Sequence, residues 1–253
     1  MSLEALDGET FAAYAKRTLV NFHAEGEKVM AACRDAALSN GNAIYESGAP
    51  SGAKLWVGDA NLASDRAQLA AIECQSIVFC QDNSEGTMYF ADEPGFRYLA
   101  FPIGLWEPPS SWPAVKPGDA SPTTPTPEAL LAYFEPLFEF VATELAEGRS
   151  VLIHCLAGAH RAGSAGIACL MRFEGLGLAT ATAKAQAARP LIDPIHYLEY
   201  LLTQFEEALN GERLKQRRKE AIELNLALFL TEKNEDGRGG LGFPPAGLLP
   251  GSR

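Results

Sequence analysis

A short apolar run followed by a longer run of helix-forming residues is the clearest pattern along the chain. Val151-Leu152-Ile153 predicts a short buried strand, and the Ala, Ile, Leu and Met residues between Gly163 and Phe173 predict a helix. The residues between the two runs, from His154 onward, are therefore predicted to form a loop at a helix N-terminus. Such a loop favours an anion, because unpaired backbone N–H groups converge there and the helix dipole adds partial positive charge.

Apolar residues at helical spacing predict further helices on both sides of this loop. Residues 9–39 predict a helical segment that is interrupted around Gly26. Thr126 as N-cap and Pro127 at the first position predict a helix to about Glu147, with Pro136 expected to kink or break it. After the loop, helices are predicted over Leu178 to Ala188, Pro194 to Asn210, and Arg213 to about Thr231.

Two earlier stretches have a different character. Residues 52–104 predict short strands around one helix, with turns marked by Gly and Pro. Residues 107–127 contain seven prolines and predict a long irregular loop. A loop of that length is uncommon in a compact domain unless it is functional or flexible.

Composition limits the classes of function. A chain of 253 residues that is 47% hydrophobic can bury the core of one globular domain, with extensions at both ends. The net charge of −11 argues against a nucleic-acid partner or an anionic membrane surface, so an anion site must be positive only locally. The five cysteines lack paired spacing, and no apolar run is long enough to span a membrane. We expect a reducing, intracellular setting, cytoplasmic or nuclear, without membrane insertion.

The loop combines a thiol and a guanidinium, because five residues separate Cys155 from Arg161. A loop of this length can wrap around one tetrahedral anion. Arg161 would bind the anion as a bidentate fork, and the backbone N–H groups of the intervening residues would bind its oxygens: Leu156, Ala157, Gly158, Ala159 and His160. The same positive surroundings favour the thiolate form of Cys155, which is the nucleophile. The pattern therefore predicts a site that attacks a phosphate group, and Gly158 permits the curled backbone.

The run His154-Cys155-x5-Arg161 with Ala157-Gly158 resembles the phosphate loop of cysteine-dependent protein tyrosine phosphatases, and in particular its dual-specificity branch. Lys54 to Ala60, Tyr98 to Ile103 and Arg189 to Pro194 resemble other segments of that family, in the same order. The resemblance implies an α/β fold with a central, mostly parallel sheet of about five strands flanked by helices. It implies no cofactor, and a metal site is not expected.

The resemblance covers roughly residues 52–209, which we predict to be the catalytic domain. Residues 1–51 are predicted to be an added N-terminal helical extension. Residues 210–231 are predicted to be a C-terminal helix that begins with a basic cluster, Arg213 to Lys219. Residues 232–253 are charged and then rich in Gly and Pro, which predicts a disordered tail.

The sequence departs from the family at the general acid. In related sequences an Asp three residues past the Pro of the Tyr-x-x-x-Pro strand protonates the leaving oxygen, and here that position is Leu105. Two carboxylates could replace it: Glu107, which needs a modest loop shift, and Asp119, which the long loop could fold back over the site. The sequence leaves open which of them acts, or whether neither does.

A second departure follows Arg161. The family usually has Ser or Thr next, whose hydroxyl helps the thiolate leave, whereas this chain has Ala162. Ser164 lies two residues too late for that role. We therefore expect a phosphocysteine that persists longer than usual and a slow enzyme.

The resemblance assigns supporting positions to two further residues, His154 and Cys80, whereas the His160 side chain is interpreted from its place on the loop itself. His154 is expected to point away from the site and hydrogen-bond the loop backbone. His160 is expected to contact substrate at the rim or to face solvent. Cys80, at the end of the strand Ile77-Val78-Phe79, stands where related phosphatases carry a Cys that can pair with the nucleophile; the alternative is a small buried strand residue.

These observations lead to one main hypothesis and two alternatives. The main hypothesis is a phosphoprotein phosphatase acting on phosphotyrosine and also on phosphoserine or phosphothreonine. The first alternative is a pseudophosphatase-like module that binds phosphorylated proteins, which Leu105 and Ala162 favour. The second is a phosphoinositide phosphatase, which ranks lower because the loop lacks lysines for a multiply charged headgroup.

Overall fold

The computed structural model describes residues 22–35, 40–48, 50–81, 86–105, 126–195 and 197–235. A single sheet contains the strands β1 (Gly41–Glu46), β2 (Lys54–Gly58), β3 (Cys74–Phe79), β4 (Arg97–Ala100) and β5 (Ser150–His154). They lie in the order β1-β2-β5-β3-β4; β1 and β2 are antiparallel, and the other neighbouring pairs are parallel. This confirms the predicted mostly parallel five-stranded sheet.

The structure describes seven α-helices besides the sheet. They are α1 (Phe22–Asp35), α2 (Ala60–Ser64), α3 (Arg66–Ala71), α4 (Pro127–Ala146), α5 (Arg161–Phe173), α6 (Leu178–Ala188) and α7 (Tyr197–Glu235), with a 3-10 turn at Ile103–Leu105. The chain divides into two compact units, Met1–Leu209 and Asn210–Arg253, and α7 contributes residues to both. Among the described helices, none is long and apolar enough to cross a membrane.

The central strand β5 shows how the two layers form. All five of its residues are buried, as expected for a parallel strand covered on both faces. Because side chains alternate along a strand, Val151 and Ile153 join the large core beneath α4 to α7, whereas Leu152 joins the smaller core beneath α2 and α3. The hydrophobic run that predicted this strand is thus explained by burial on both sides.

The carboxyl ends of three strands meet at one edge of the sheet. In the parallel register His154 of β5 lies beside Gly58 of β2 and Phe79 of β3. The residues that follow these strands, Asp59, Cys80 and Cys155, are therefore brought together. Ligand sites in open α/β sheets commonly lie at this edge.

The N-terminal part of the first unit differs from the prediction in two ways. Helix α1 runs through Gly26 without a break. Residues 41–46 were predicted to lie in a helical extension, but they form the edge strand β1 because they pair with β2 from Gly58 to Lys54. Residues 1–21, 36–39 and 49 of that extension lie outside the described residues.

The predicted start and end of α4 are confirmed, and its interior is unbroken. Thr126 Oγ1 accepts a hydrogen bond from the Ala129 N–H at 3.2 Å, and Gly148 follows the helix with a φ of 80°. Pro136 lies inside the helix and does not end it.

At the C-terminal end, the two separate helices predicted on either side of residue 211 are a single helix, α7. Residues 232–235 were predicted to belong to the tail, but they form the last residues of α7. Residues 236–253 lie outside the described residues.

Candidate active site

Cys155 and Arg161 stand at the two ends of one tight loop. Cys155 directly follows β5, and Arg161 is the first residue of α5. Both side chains are 3% exposed, so the sulfur and the guanidinium lie at the bottom of the loop and not on the surface. The loop between them ends at a helix N-terminus, as the sequence predicted.

The carbonyl groups of the loop are held from outside. Two of these carbonyls accept hydrogen bonds from backbone N–H groups: Leu156 O from Ala60 N at 3.0 Å, and Ala159 O from Asp193 N at 3.2 Å. The other two accept from the Arg189 guanidinium: Ala157 O from Nη2 at 3.0 Å, and Gly158 O from Nε at 2.9 Å. Because the C=O and N–H of a trans peptide point in opposite directions, the N–H groups of residues 157–160 turn to the other side. Four consecutive backbone donors therefore line the inner face of the loop, where they can bind an anion.

Gly158 is required at the tightest point of the loop. Its φ is +63°, in the left-handed region that favours glycine. A Cβ atom at this position would lie 2.4 Å from the Gly58 carbonyl oxygen and 3.0 Å from Arg189 Nη2. A larger residue here would push the loop off β2.

Arg189 supports the loop, a role that the sequence did not predict. It is 1% exposed, and besides the two loop carbonyls it donates from Nη1 to Asn42 Oδ1 at 3.1 Å. Asp59 lies nearby with only 3% exposure; burial raises the pKa of this carboxyl, while its hydrogen bond from the Leu62 N–H and the positive Arg189 act in the opposite direction. The resemblance of the segment from Arg189 to Pro194 to the family was the sequence feature that could have indicated this role.

His154 is buried beneath the loop. Its Nδ1 lies 3.4 Å from the Cys155 carbonyl oxygen, to which it can donate a long hydrogen bond, and its ring packs 5.5 Å from that of Phe79. Burial lowers the pKa of His154 to about 4, so the imidazole is neutral near pH 7. The contact to the loop backbone has the form expected from the resemblance.

The His160 side chain does not face solvent. It is 6% exposed and its Nδ1 lies 2.6 Å from the Asp193 carbonyl oxygen. The side chain therefore ties the end of the loop to the turn before α7. Its backbone N–H is a candidate ligand for the anion.

The two positions after Arg161 at which the sequence raised the question of a hydroxyl group are Ala162 and Ser164. Ala162 is fully buried and has no hydroxyl. The Ser164 hydroxyl donates to the His160 carbonyl oxygen at 2.8 Å, one turn back along α5. Ser164 therefore does not take the place of the Ser or Thr that usually follows the Arg.

Cys80 lies beside Cys155, because the strands that precede them, β3 and β5, are neighbours in parallel register. Its N–H donates to the His154 carbonyl oxygen at 2.9 Å, which extends the β3–β5 ladder by one residue. Cys80 is fully buried, and this burial is the main reason why the pKa of its thiol is raised well above the usual range. The neighbouring Cys155 raises this pKa further, whereas Arg161 acts to lower it.

The structure gives no location for the two candidate acids, because Glu107 and Asp119 lie outside the described residues. Leu105 closes the 3-10 turn Ile103–Leu105 that follows β4. Within the described ranges, no group of three or more His, Cys, Asp and Glu side chains could hold a metal ion.

Sequence comparisons relate this chain to a known family. A family model described as dual specificity phosphatase, catalytic domain, matches residues 55–208. Human dual specificity phosphatase 28 is 33% identical over 97 residues, which are 38% of this chain; the match spans 55% of that relative, about half its length.

Solved structures of phosphatases are also similar. A crystal structure of a variant of human dual specificity phosphatase 28 has 26% identity and a TM-score of 0.49, covering 69% of this chain and 99% of that one. The structure of PTPMT1 in complex with PI(5)P has 16% identity and a TM-score of 0.49, with the same coverage of 69% and 99%.

The family match covers more than half of the chain. The chain therefore belongs to the dual specificity phosphatase family, within the cysteine-dependent protein tyrosine phosphatases. This confirms the resemblance found in the sequence and supports phosphatase activity in general.

The contacts of Arg189 predict that it positions the loop. Arg189→Lys keeps the positive charge but cannot donate to both loop carbonyls and Asn42 at once. We expect a loss of about 2 kcal/mol or more in the free energy of unfolding, because a buried carbonyl loses its partner, together with slower hydrolysis of an aryl phosphate. Urea denaturation and steady-state kinetics measure the two effects. Arg172→Lys, at an exposed position on α5, is the control, and equal behaviour of the two variants would contradict this role.

Proposed function

We propose that this protein is a phosphoprotein phosphatase that acts through a phosphocysteine on Cys155. Phosphotyrosine is the first substrate class, and phosphoserine and phosphothreonine are the second. The observation that carries the proposal is the outward anchoring of the carbonyls of residues 156–159, which directs consecutive N–H groups to the inner side of the loop. Such donors, together with the Arg161 fork, favour a phosphoryl group with its charge spread over three oxygens.

In the first step the Cys155 thiolate attacks phosphorus and forms an S–P bond, while the bond from phosphorus to the ester oxygen breaks. The leaving oxygen takes a proton from a general acid, for which Glu107 and Asp119 are the two candidates. Arg161 and the loop amides stabilise the negative oxygens of the transferring phosphoryl group throughout.

In the second step water attacks the phosphocysteine, inorganic phosphate leaves and the thiolate is restored. A hydroxyl next to Arg161 would normally assist the departing sulfur. Ala162 has none, and the Ser164 hydroxyl is bonded to the His160 carbonyl. These two facts support slow turnover and a longer-lived intermediate.

A binding module is the alternative function. Leu105 in place of the family acid and Ala162 in place of a hydroxyl both favour a protein that holds phosphorylated partners with little hydrolysis. A phosphoinositide substrate ranks below both.

Cys74, Cys80, Cys155 and Cys169 are all free thiols, which supports a reducing compartment, cytoplasmic or nuclear.

Replacing the nucleophile tests the proposed mechanism. Cys155→Ser should reduce hydrolysis of p-nitrophenyl phosphate and of a phosphotyrosine peptide by roughly 10³-fold or more, because the S–P bond cannot form. Binding of inorganic phosphate, followed by calorimetry, should survive because the loop donors remain. Cys74→Ala, at the far end of β3, is the control. Undiminished turnover by Cys155→Ser would exclude the mechanism.

Replacing the candidate acids separates the enzyme from the binding module. If Glu107 or Asp119 is the proton donor, Glu107→Gln or Asp119→Asn should slow hydrolysis of an alkyl phosphoester by roughly 10²-fold or more, and of a nitrophenyl ester much less. The poor leaving group needs the proton, whereas nitrophenolate leaves without it. Asp92→Asn, an exposed carboxylate elsewhere, is the control. Small and equal effects from both variants would favour the binding module.

Cys80 supports an additional proposal, reversible oxidation of the nucleophile. Neighbouring parallel strands are about 4.8 Å apart, and the Cα atoms of a disulfide usually lie about 4.4–6.8 Å apart. Peroxide would convert the Cys155 thiolate to a sulfenic acid, and the Cys80 thiol would then displace water from that sulfur and form an S–S bond. A dithiol would reduce the bond and restore both thiols.

Mild peroxide treatment tests this pairing. We expect peptide mapping to find Cys80 joined to Cys155, and activity to return with a dithiol, because the disulfide prevents oxidation to the irreversible sulfinic acid. Cys80→Ser should lose most of this recovery, whereas Cys74→Ser should keep it. Equal recovery of Cys80→Ser and the unaltered protein would show that Cys80 is only a core residue.

A further inference from the structure

Helix α1 packs directly on the phosphate-binding loop. Met30 of α1 forms a small apolar cluster with Ala157 and Ala159 of the loop, and Val29 and Leu156 pack against it. Met30 is 9% exposed, and the two loop alanines are 1% and 0% exposed. Helix α1 therefore covers apolar side chains of the loop, whereas the hydrogen bonds described above hold the loop carbonyls.

Gly26 is a position of close approach between the helix and the loop. A Cβ atom on Gly26 would lie 3.1 Å from Leu156 Cδ2 and 3.5 Å from Leu156 Cβ. Gly26 is buried inside an unbroken helix, where glycine is otherwise unfavourable. A glycine at this position is explained by the close contact with Leu156, the residue next to the nucleophile.

The two sides of the loop have different kinds of support. Backbone and guanidinium donors from Ala60, Arg189 and Asp193 fix its carbonyls. These polar contacts fix the orientation of the peptides but do not contact the Leu156 side chain. The apolar contact with α1 supplies the restraint on that side chain.

We propose that α1 is a positioning element of the active site, which acts through Leu156 to hold the phosphate-binding loop in its anion-binding conformation. This inference rests on the proposed function, because it assigns α1 a part in binding the transferring phosphoryl group. Gly26 and Met30 are positioning residues, since neither has to touch the substrate. The polar anchors orient the N–H groups that follow Leu156, and the contact with α1 keeps the Leu156 side chain, and with it this part of the loop, in place.

Gly26→Leu is the most direct test in the full-length protein. Leucine is a far better helix former than glycine, so any loss is not caused by a weaker helix. Its side chain would displace Leu156, and we expect the affinity for vanadate and the kcat/KM for p-nitrophenyl phosphate to fall roughly 10- to 100-fold. The matched control is Ala32→Leu, at an exposed position of the same helix, which should change both values by no more than about twofold.

A double-mutant cycle with Leu156→Ala shows whether the effect passes through Leu156. Without the Leu156 side chain, Gly26→Leu should cost less than about threefold in vanadate affinity. A full loss in that background, or vanadate affinity within twofold of the unaltered protein after Gly26→Leu alone, would overturn the proposal. Thermal unfolding of each variant measures whether it is folded. If the loss of vanadate affinity is fully explained by a smaller fraction of folded protein, that result also contradicts the proposal.

The cycle is independent of the mechanism proposed above. If the unaltered protein showed no turnover, or if Cys155→Ser kept it, the phosphatase proposal would fail. Vanadate and phosphate binding would still report on the coupling between Gly26 and Leu156. The two proposals can therefore fail separately.

Discussion

The outward anchoring of the loop carbonyls is the constraint on which the active site depends. A seven-residue curl at a helix N-terminus has many possible conformations, and only those with inward N–H groups bind an anion. Each carbonyl from Leu156 to Ala159 has a donor outside the loop, so rotation of any of these peptides would break a hydrogen bond. A buried carbonyl without a partner is costly, so this network selects one conformation.

The anchors come from parts of the chain that are distant in sequence, and the sheet brings them together. Ala60 follows β2, which pairs with β5 in parallel register. Arg189 follows α6 and joins the loop to Asn42 of the edge strand β1. The register of β1, β2 and β5 therefore determines whether the loop is supported. The pairing of β3 with β5 places Cys80, one residue beyond the end of β3, beside Cys155.

The sequence predicted the features that depend on local chemistry. The run at residues 151–153 marked the central strand, Thr126 and Pro127 marked the start of α4, and the Cys155 to Arg161 spacing marked the loop. It could not predict long-range contacts. The role of Arg189 depends on carbonyls 31 and 32 residues earlier in the chain. Gly26 was interpreted as a helix break because glycine is a poor helix former, whereas its contact with Leu156 explains its presence inside α1.

The most direct test of this account is a crystal structure of the protein with vanadate. We expect the vanadium atom next to Cys155 Sγ, and vanadate oxygens within about 2.7–3.2 Å of the N–H nitrogens of residues 157–160 and of the Arg161 guanidinium. The carbonyls of residues 156–159 should keep their present donors. Vanadate bound elsewhere, or a loop whose carbonyls face the anion, would contradict the account.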